Sequence, residues 1–403
     1  AGNNVLTAET FTQTKWSFEI APDPIPESEI KETIEHDIIV IGSGMAGLCT
    51  MCSAMEQGAD VLMFSAGSQP YSRGGSNHAV GSKYQKAKGI DYSPEIAREI
   101  VKTEQTSGTY FMDKKKWERW INNSAESVDW MIDKMEAKGL HVCLEPGYYD
   151  PDGVLTVPSA SHNFWNEEQP FGALFGAPLQ AQAYASHIAD MGGEIHYKTI
   201  AKYLIRENEN TGRVTAVIAQ KEDGSYVKYV GRKAIVLATG DFSNDKEMLA
   251  AYCPMVLPLV GYEQNEIDYN TSFNLTGIYG GDGQKMGLWA GAAWQRAYPN
   301  APMMQGAWGG SHEPCGFHMG LNVNMNTERY QREDISAPYS SNHLLSQPGN
   351  IAFGIWTANY PAAILEAGHE WYTFGMDYTL PPLTTDELVA LWDAGVETKA
   401  YYK

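Results

Sequence analysis

Residues 36–47 decide the fold of this 403-residue chain, and they read His-Asp-Ile-Ile-Val-Ile-Gly-Ser-Gly-Met-Ala-Gly. The apolar run Ile38–Ile41 is typical of a strand that is buried in a parallel sheet. A helical pattern then covers residues 48–57 and ends at Gly58, a residue type favoured just past a helix end. A second run, Asp60–Phe64, completes a strand–helix–strand unit, so the sequence predicts an α/β fold.

Three glycines form the turn between the first strand and the helix. Gly42 permits a tight turn, Gly44 lets the backbone approach a pyrophosphate, and Gly47 lets the helix pack closely on the strand. The start of the helix presents free N–H groups and the positive end of the helix dipole. A plain tight turn with incidental glycines is the alternative. Because the motif directly follows a strand and opens a helix, the sequence favours dinucleotide binding.

Composition limits the class of protein. Apolar residues make up 43% of the chain, and the formal net charge is −20. Such a surface repels nucleic acid and anionic lipid. No apolar run approaches the roughly 20 residues that a bilayer-spanning helix needs. We therefore exclude nucleic-acid-binding and membrane-spanning proteins, and the length predicts two or three domains.

The five cysteines are too few for a disulfide scaffold in a chain of this length. Cys49 and Cys52 have the C-x-x-C spacing, and no His follows Cys52, which excludes a haem-attachment site. Within the predicted helix the two residues share one face. Buried packing is the favoured interpretation, and a redox or metal-binding role is the alternative.

The rest of the sequence divides into a lead-in, a central part with helical and strand patterns, and a C-terminal part of different composition. Residues 1–35 form a polar, proline-punctuated lead-in, and from about residue 296 Pro, Trp, Tyr, Asn and Gly crowd the sequence, which indicates a separate lobe. Helices are predicted within residues 94–140 and 178–191, and a β-meander at 194–206, 213–220 and 226–231, joined to a final strand at 234–238.

An ordered series of motifs resembles the fumarate reductase/succinate dehydrogenase flavoprotein superfamily, which includes urocanate reductases and 3-ketosteroid dehydrogenases. The resemblance extends over most of residues 36–335. The segments that carry it are Ile38–Gly47, Gly74–Gly81, Gly212–Val217, Ala234–Phe242 with Asn244 and Met248, Gly281–Met286, Ala290–Ala292, Asn322–Asn324 and Glu328–Glu333.

The resemblance implies a Rossmann-like FAD-binding domain with a β-meander (residues 36–296) and an inserted capping domain (residues 297–403). It also implies a set of FAD-binding residues. For Asp282, which lies between two glycines, a role in a turn is an equal alternative. The set is Gly42, Gly44, Met45, Ala46, Gly47, Ser65, Gly74, Gly75, Ser76, Asn77, His78, Ala238, Thr239, Gly240, Asn244 and Asp282.

Three positions depart from the family pattern. Ser65 stands where the family has an acidic residue that binds the adenosine ribose, and a hydroxyl binds a ribose more weakly than a carboxylate. Tyr298 replaces a substrate-binding His, and Ala337 replaces the proton-donating Arg of fumarate reductases. The lost positive charge predicts a neutral, larger, partly aromatic substrate, with Tyr298 as an acid that polarises a carbonyl.

Arg329 and Arg332 are the other candidate catalytic residues, since an arginine binds substrate oxygens well. A solvated or structural ion pair is the alternative for both.

The resemblance implies a reductase that transfers a hydride from flavin N5 to an activated C=C bond of an enoate, enone or unsaturated lactone. No second nucleotide fingerprint is visible, so a partner redox protein is expected to supply the electrons. One alternative is a dehydrogenase of the 3-ketosteroid type. A second alternative is a non-catalytic, degenerate flavoprotein subunit.

Two further expectations concern the ends of the chain. The resemblance implies a C-terminal return segment of the FAD domain that this sequence does not show. Either the sequence is one piece of a processed or proteolysed protein, or the segment is absent, and a second chain or fragment is one way in which it could be supplied. The lead-in resembles exported members of the family from anaerobic actinobacteria, and the chain starts with Ala1. Export as a folded protein with its signal removed is therefore favoured, with a cytoplasmic location as the alternative.

Overall fold

The computed structural model describes residues 15–72, 77–107, 113–144, 158, 160–168, 176–270, 277–294, 321–331, 343–344 and 346–355. The chain divides into two compact units. The first comprises residues 1–70 and 188–299, and the second comprises residues 71–187 and 300–403. Most of the predicted capping domain lies outside the described residues, so the predicted domain boundaries stay a prediction.

The described helices and strands alternate along much of the chain. The strands are β1 (Ile30–Ile41), β2 (Val61–Phe64), β3 (Asn77–His78), β4 (His141–Leu144), β5 (Ser161–Trp165), β6 (Glu194–His196), β7 (Thr199–Arg206), β8 (Val214–Lys221), β9 (Tyr226–Leu237), β10 (Leu321–Asn324) and β11 (Ala352–Ile355). The α-helices are α1 (Met45–Glu56), α2 (Lys83–Ala87), α3 (Pro94–Ser107), α4 (Lys114–Glu136), α5 (Ala177–Asp190), α6 (Glu207–Asn210), α7 (Lys246–Tyr252), α8 (Leu257–Val260) and α9 (Asp282–Trp289).

A six-stranded sheet organises the first unit, with strand order β6-β2-β1-β9-β8-β7. The four strands from β6 to β9 are parallel, and β9, β8 and β7 are antiparallel. Ile39 and Phe64 are fully buried in its core, where the Phe64 and Tyr229 rings stack with their centroids 4.5 Å apart. The carboxyl ends of β2, β1 and β9 lie side by side, as a nucleotide-binding α/β sheet requires.

The structure corrects three predicted element boundaries. β1 begins at Ile30 rather than at residue 36, because its polar first half also pairs with β9. The pieces predicted at 226–231 and 234–238 form one strand, β9, whose pairing with β1 contains register shifts. The helical stretch 94–140 contains two helices, and Asp113 caps the second through hydrogen bonds from the N–H groups of Lys115 and Lys116. Cross-strand pairing and helix capping decide where these strands and helices begin and end. The apolar periodicity of the sequence, on which the predictions were based, does not reveal such boundaries.

The described part of the lead-in packs within the first unit. Phe18 is 3% exposed, and its carbonyl accepts a 2.8 Å hydrogen bond from the indole N–H of Trp289. Further along, the N–H of Ile25 donates to the Tyr203 hydroxyl at 2.9 Å. The described part of the lead-in therefore contributes a buried side chain to this unit.

The second unit contains a three-stranded antiparallel sheet of order β3-β5-β4 and a two-stranded antiparallel sheet of β10 and β11. Several polar side chains are buried around β5, among them His162, Asn163 and Gln180, each with 0% exposure. Buried polar groups of this kind are stable only when they are hydrogen-bonded. Within the described ranges, no helix is both long and apolar enough to cross a bilayer.

Candidate functional site

The turn after β1 has room only for glycine at two positions. Gly42 has φ +107°, and a Cβ atom there would lie 2.3 Å from the carbonyl oxygen of Ala238. A Cβ atom at Gly47 would lie 1.9 Å from the carbonyl oxygen of Gly42. Real Cβ atoms do not approach oxygen so closely, so β1, the end of β9 and α1 meet backbone to backbone. The sequence-based roles of these two glycines in the turn and in packing agree with this geometry.

The N-terminus of α1 is free to bind an anion. Gly44 is its N-cap residue, and no side chain of the described residues caps the helix. The first turn carries no acidic residue, and the N–H of Leu48 makes the first helical bond, 2.9 Å long, to the carbonyl of Gly44. The N–H groups of Met45, Ala46 and Gly47 precede that bond and have no intrahelical acceptor. Such a helix start suits a pyrophosphate.

Ser65 follows β2 directly and faces this turn. Its Oγ lies 2.9 Å from Oγ of Ser43 and accepts a 3.3 Å hydrogen bond from the Ser43 N–H. Ser65 is 9% exposed and Ser43 is 2% exposed. The predicted ribose position therefore holds a neutral pair of buried hydroxyl groups.

The residues after β9 meet the start of α9. Gly240 has φ +83°, and a Cβ atom there would lie 2.8 Å from the ring of Tyr279. A Cβ atom at Gly283 would lie 2.0 Å from Oγ1 of Thr239. The Gln284 amide donates a 2.9 Å hydrogen bond to the Gly240 carbonyl, while its own Oε1 is buried and has no hydrogen-bond partner among the described residues. An orphaned acceptor is thus present beside the predicted cofactor segment Ala238–Gly240.

Asn244 and Asp282 have partners within the protein. The Asn244 side chain is fully buried, donates to the Asn265 carbonyl at 2.9 Å and accepts from the Asn265 N–H at 3.2 Å. Asp282 is the first residue of α9, and its carboxylate accepts a 3.1 Å hydrogen bond from the Tyr269 hydroxyl. Burial first, and then the nearby Asp282 charge, raise the pKa of Tyr269 well above its usual range, so that Tyr269 stays a donor. The direct FAD contacts predicted for Asn244 and Asp282 stay predictions.

A cavity of about 730 Å³ in the first unit lies among the lead-in, β7, α7 and α9. Asp282 and Tyr269 line it, together with an ion pair between Lys285 and Asp245, 2.5 Å apart. Its lining mixes both charges with tyrosine rings.

In the second unit, Asn77 is held by a buried network that the sequence analysis missed. The Asn77 side-chain amide donates to the carbonyl of His162 and to Oε1 of Gln180, each at 3.1 Å. Nδ1 of His162 lies 3.0 Å from the carbonyl of Asn77, and Nε2 lies 2.7 Å from Oγ of Ser82. Burial lowers the pKa of His162, so the ring is neutral, with Nδ1–H as donor and Nε2 as acceptor. The linked residues are up to 103 positions apart, and no local signal marks them.

The remaining predicted site residues lie on the surface or outside the described residues. Gly74, Gly75, Ser76, Tyr298 and Arg332 lie outside the described residues. His78 is an exposed residue of β3, and Arg329 is exposed and forms a backbone bridge with Val323. The catalytic roles of Tyr298, Arg329 and Arg332 stay predictions.

Cys49 and Cys52 lie on α1, as predicted, and neither forms a disulfide. Cys52 has 0% exposure and Cys49 is half-buried. This placement is that of packing residues.

Residues 37–312 match the family model described as "FAD binding domain". The chain belongs to this family. The glycine turn, the uncapped helix and the orphaned Gln284 acceptor fit such a cofactor, and the family and its relatives indicate FAD. With FAD bound, Gly42 to Gly47 would hold the pyrophosphate, and Ala238 to Gly240 would line the nucleotide.

Named oxidoreductases are similar to the chain. Vinyl phenol reductase of Lactiplantibacillus plantarum is 29% identical over 220 residues, which are 53% of this chain and 39% of that protein. Probable fumarate reductase Ifc3 of Shewanella frigidimarina is 24% identical over 370 residues, which are 84% of this chain and 57% of that protein. The chain thus spans about half the length of these relatives, and each name describes the whole relative.

A solved structure supports the fold. 3-Ketosteroid-Δ4-(5α)-dehydrogenase from Rhodococcus jostii RHA1 superposes with a TM-score of 0.63 at 21% identity, covering 85% of this chain and 70% of that one. The predicted superfamily and its α/β fold are confirmed.

Proposed function

We propose that this protein is an FAD-dependent reductase that saturates an activated C=C bond in an enoate, enone or unsaturated lactone. The observation that carries the proposal is the FAD cradle at Gly42–Gly47, in a chain whose similar proteins are named vinyl phenol reductase and fumarate reductase. Vinyl phenols and fumarate both contain a C=C bond. When bound, FAD supplies the hydride for such a reduction.

In this proposal the protein's own residues bind the cofactor and orient the substrate. The N–H groups at the start of α1 hold the pyrophosphate, and the contact between Thr239 and Gly283 fixes the end of β9 against α9. Tyr298 acts as the acid that polarises or protonates the substrate, and Arg329 and Arg332 bind its oxygen atoms. A Tyr298→Phe variant should lower kcat by about 10²-fold or more and leave flavin binding unchanged.

The reductase is tested with the purified, FAD-loaded protein under anaerobic conditions. The flavin is reduced with a dithionite-reduced viologen dye, and fumarate, 4-vinylphenol, a cyclic enone and a butenolide are added one at a time. Reoxidation of the flavin together with a product that has gained two hydrogens supports the proposal. A flavin that is reduced by the dye and stays reduced with every acceptor overturns it and favours the non-catalytic flavoprotein.

The dehydrogenase alternative predicts a different change in the flavin absorption spectrum. A saturated 3-ketosteroid would reduce the oxidised flavin, and the steroid would lose two hydrogens. The same absorption measurement, started from the oxidised protein, distinguishes the two directions. The resemblance to the Rhodococcus dehydrogenase concerns the fold, so the reductase remains the proposal.

The same proposal includes two partners: a redox protein that donates electrons, and a second chain or fragment that adds a strand to the sheet. The unpaired edge of β9 supports the second of these partners. The pairing of β9 with β8 ends at Val230, and among the described residues no strand pairs with the far edge of Ala234–Leu237. Leu237 is 40% exposed there. A free edge with apolar side chains accepts a further strand.

Amide hydrogen exchange tests the strand partner. The N–H of Ala238 donates to the carbonyl of Ile41, so alternate residues face β1 and the N–H groups of Ile235 and Leu237 face the other edge. Fast exchange of these two amides in the isolated chain, with slow exchange at Val236, supports an open edge. Equal protection of all three would contradict it.

The proposed location is outside the cytoplasm, after export in the folded state. Fractionation of cells that express the natural protein, with detection of the protein in each fraction, tests this location.

A further inference from the structure

We propose that the adenosine end of FAD is held here at an uncharged site, in which the Ser43–Ser65 hydroxyl pair takes the place of a carboxylate, so that the ribose diol contributes little to affinity. The inference rests on the FAD-binding part of the proposed function. It does not depend on which compound the protein reduces.

The backbone of Ser65 is fixed where a ribose-binding residue has to lie. Its N–H donates a 2.8 Å hydrogen bond to the carbonyl of His196, and its carbonyl accepts a 2.9 Å hydrogen bond from the N–H of Thr199. The side chain turns towards Ser43, between the two glycines of the turn that precedes α1. Residue 65 is thus at the carboxyl end of β2, beside the helix start that suits the pyrophosphate.

The Ser65 hydroxyl is already engaged within the protein. The Ser43 N–H donates to its oxygen, and the two hydroxyl groups share a 2.9 Å hydrogen bond. Two hydroxyl groups of a ribose are best bound by a carboxylate, which accepts from both and carries a charge that strengthens each bond. One serine oxygen with its acceptor capacity largely used cannot accept from both.

No nearby acidic side chain replaces the missing charge in the described part of this turn. The first turn of α1 has none. Asp60 lies at the other end of β2, where it is paired with Arg232 at 2.7 Å and His36 at 2.6 Å. Glu194 is hydrogen-bonded to the ring of His196. Affinity for FAD must therefore come from the pyrophosphate and the flavin ends of the site.

The first test leaves the protein unaltered. ADP and 2′-deoxy-ADP compete with FAD for the unliganded protein, and the readout is flavin fluorescence rather than activity. The proposal expects the two nucleotides to compete within about twofold of each other. A preference for ADP of about tenfold, which equals about 1.4 kcal/mol, would overturn it.

The second test restores the charge. Ser65→Glu should lower the Kd of FAD about tenfold, leave the Kd of FMN unchanged because FMN lacks the adenosine, and create a preference for ADP over 2′-deoxy-ADP. Ser65→Gln is the matched control, with the same size and no charge, and should give no gain. An unchanged or raised Kd of FAD in a Ser65→Glu protein that unfolds at the normal temperature would contradict the proposal. If Ser65→Glu does not fold, the competition with the unaltered protein decides.

Failure of this inference and failure of the reductase proposal are distinguishable. Nucleotide binding is measured without reductant or acceptor, and the reductase assay is read only after FAD has been loaded to saturation. A tenfold ADP preference with normal turnover would overturn the ribose inference alone.

Discussion

Gly47, in the first turn of α1, leaves no room for a side chain between the helix, the turn after β1 and the end of β9. A Cβ atom there would lie 1.9 Å from the carbonyl oxygen of Gly42 and 3.4 Å from the Cβ of Ala238. We expect Gly47→Ala to push α1 away from β1, to cost about 1–3 kcal/mol of stability, and to weaken FAD binding by at least tenfold. Chemical denaturation and flavin fluorescence measure the two effects.

Gly287→Ala is the control, because it also adds a methyl group to a helix glycine, and among the described residues the new Cβ would meet only the Cβ of Ala292, at 3.7 Å. It should be neutral or stabilising, by up to about 1 kcal/mol of helix propensity. Equal behaviour of the two variants would show that close packing at Gly47 is not required.

His162 gives the second unit a pH-dependent stability. Burial lowers its pKa in the folded protein, while the unfolded chain has an ordinary value of about 6.5. As the pH falls below that value the unfolded state binds the proton first, so stability is complete above pH 6.5 and declines below it, until the lowered folded pKa is reached. The slope is at most about 1.4 kcal/mol per pH unit.

Denaturant unfolding between pH 8 and pH 5 measures this slope. His162→Gln removes the titrating group and keeps a donor and an acceptor for Asn77 and Ser82. The variant should lose less stability on acidification than the natural protein does. Parallel pH profiles for the two proteins would show that His162 is not the titrating group.

At the scale of elements, one arginine joins the end of β7 to the end of α9. The guanidinium of Arg206 donates to the carbonyls of Gly212 at 2.7 Å, Thr211 at 2.6 Å and Ala290 at 2.7 Å. Lysine has one nitrogen and cannot reach three acceptors with this geometry. We expect Arg206→Lys to cost about 2–3 kcal/mol, measured by denaturant unfolding.

Arg213→Lys is the matched variant, because within the described part of the chain the Arg213 guanidinium makes only an exposed 3.2 Å hydrogen bond to the carbonyl of Lys233 and a 3.9 Å ion pair with Glu207. Its cost should stay within about 0.5 kcal/mol. If Arg206→Lys were as mild as this control, the three carbonyls would be satisfied in another way.

At the scale of the whole chain, the described part of the lead-in, from residue 15 onward, is part of the folded first unit. The Phe18 ring packs 5.6 Å from the Tyr252 ring, and Glu247 accepts hydrogen bonds from both the N–H and the hydroxyl of Ser17. Phe18→Ala should therefore cost about 3–5 kcal/mol. Ile20→Ala, at a position with 61% exposure, should change stability by less than about 0.5 kcal/mol.

Thermal unfolding with tryptophan fluorescence compares these two variants, since Trp289 donates its indole N–H to the Phe18 carbonyl. A small effect of Phe18→Ala would mean that the lead-in can leave this unit without loss of stability.

The sequence by itself determined the strand, the glycine turn and the helix that follows it, and the ordered series of motifs over most of residues 36–335 indicated the family and the cofactor. The strand, turn and helix are local features: the required backbone angles and the close contacts of Gly42 and Gly47 follow from residue type within one short segment. It also placed Ser65 correctly at the end of the second strand.

Only the tertiary structure decided which side chains and backbone groups become partners within the fold. The Ser43–Ser65 pair, the hold of His162 on Asn77, the three bonds of Arg206 and the burial of Phe18 join residues from separate parts of the chain. The start of β1 at Ile30 likewise depends on pairing with β9. Such contacts arise when distant segments pack together and buried polar groups find partners, and neither periodicity nor spacing along the chain encodes which partner is chosen.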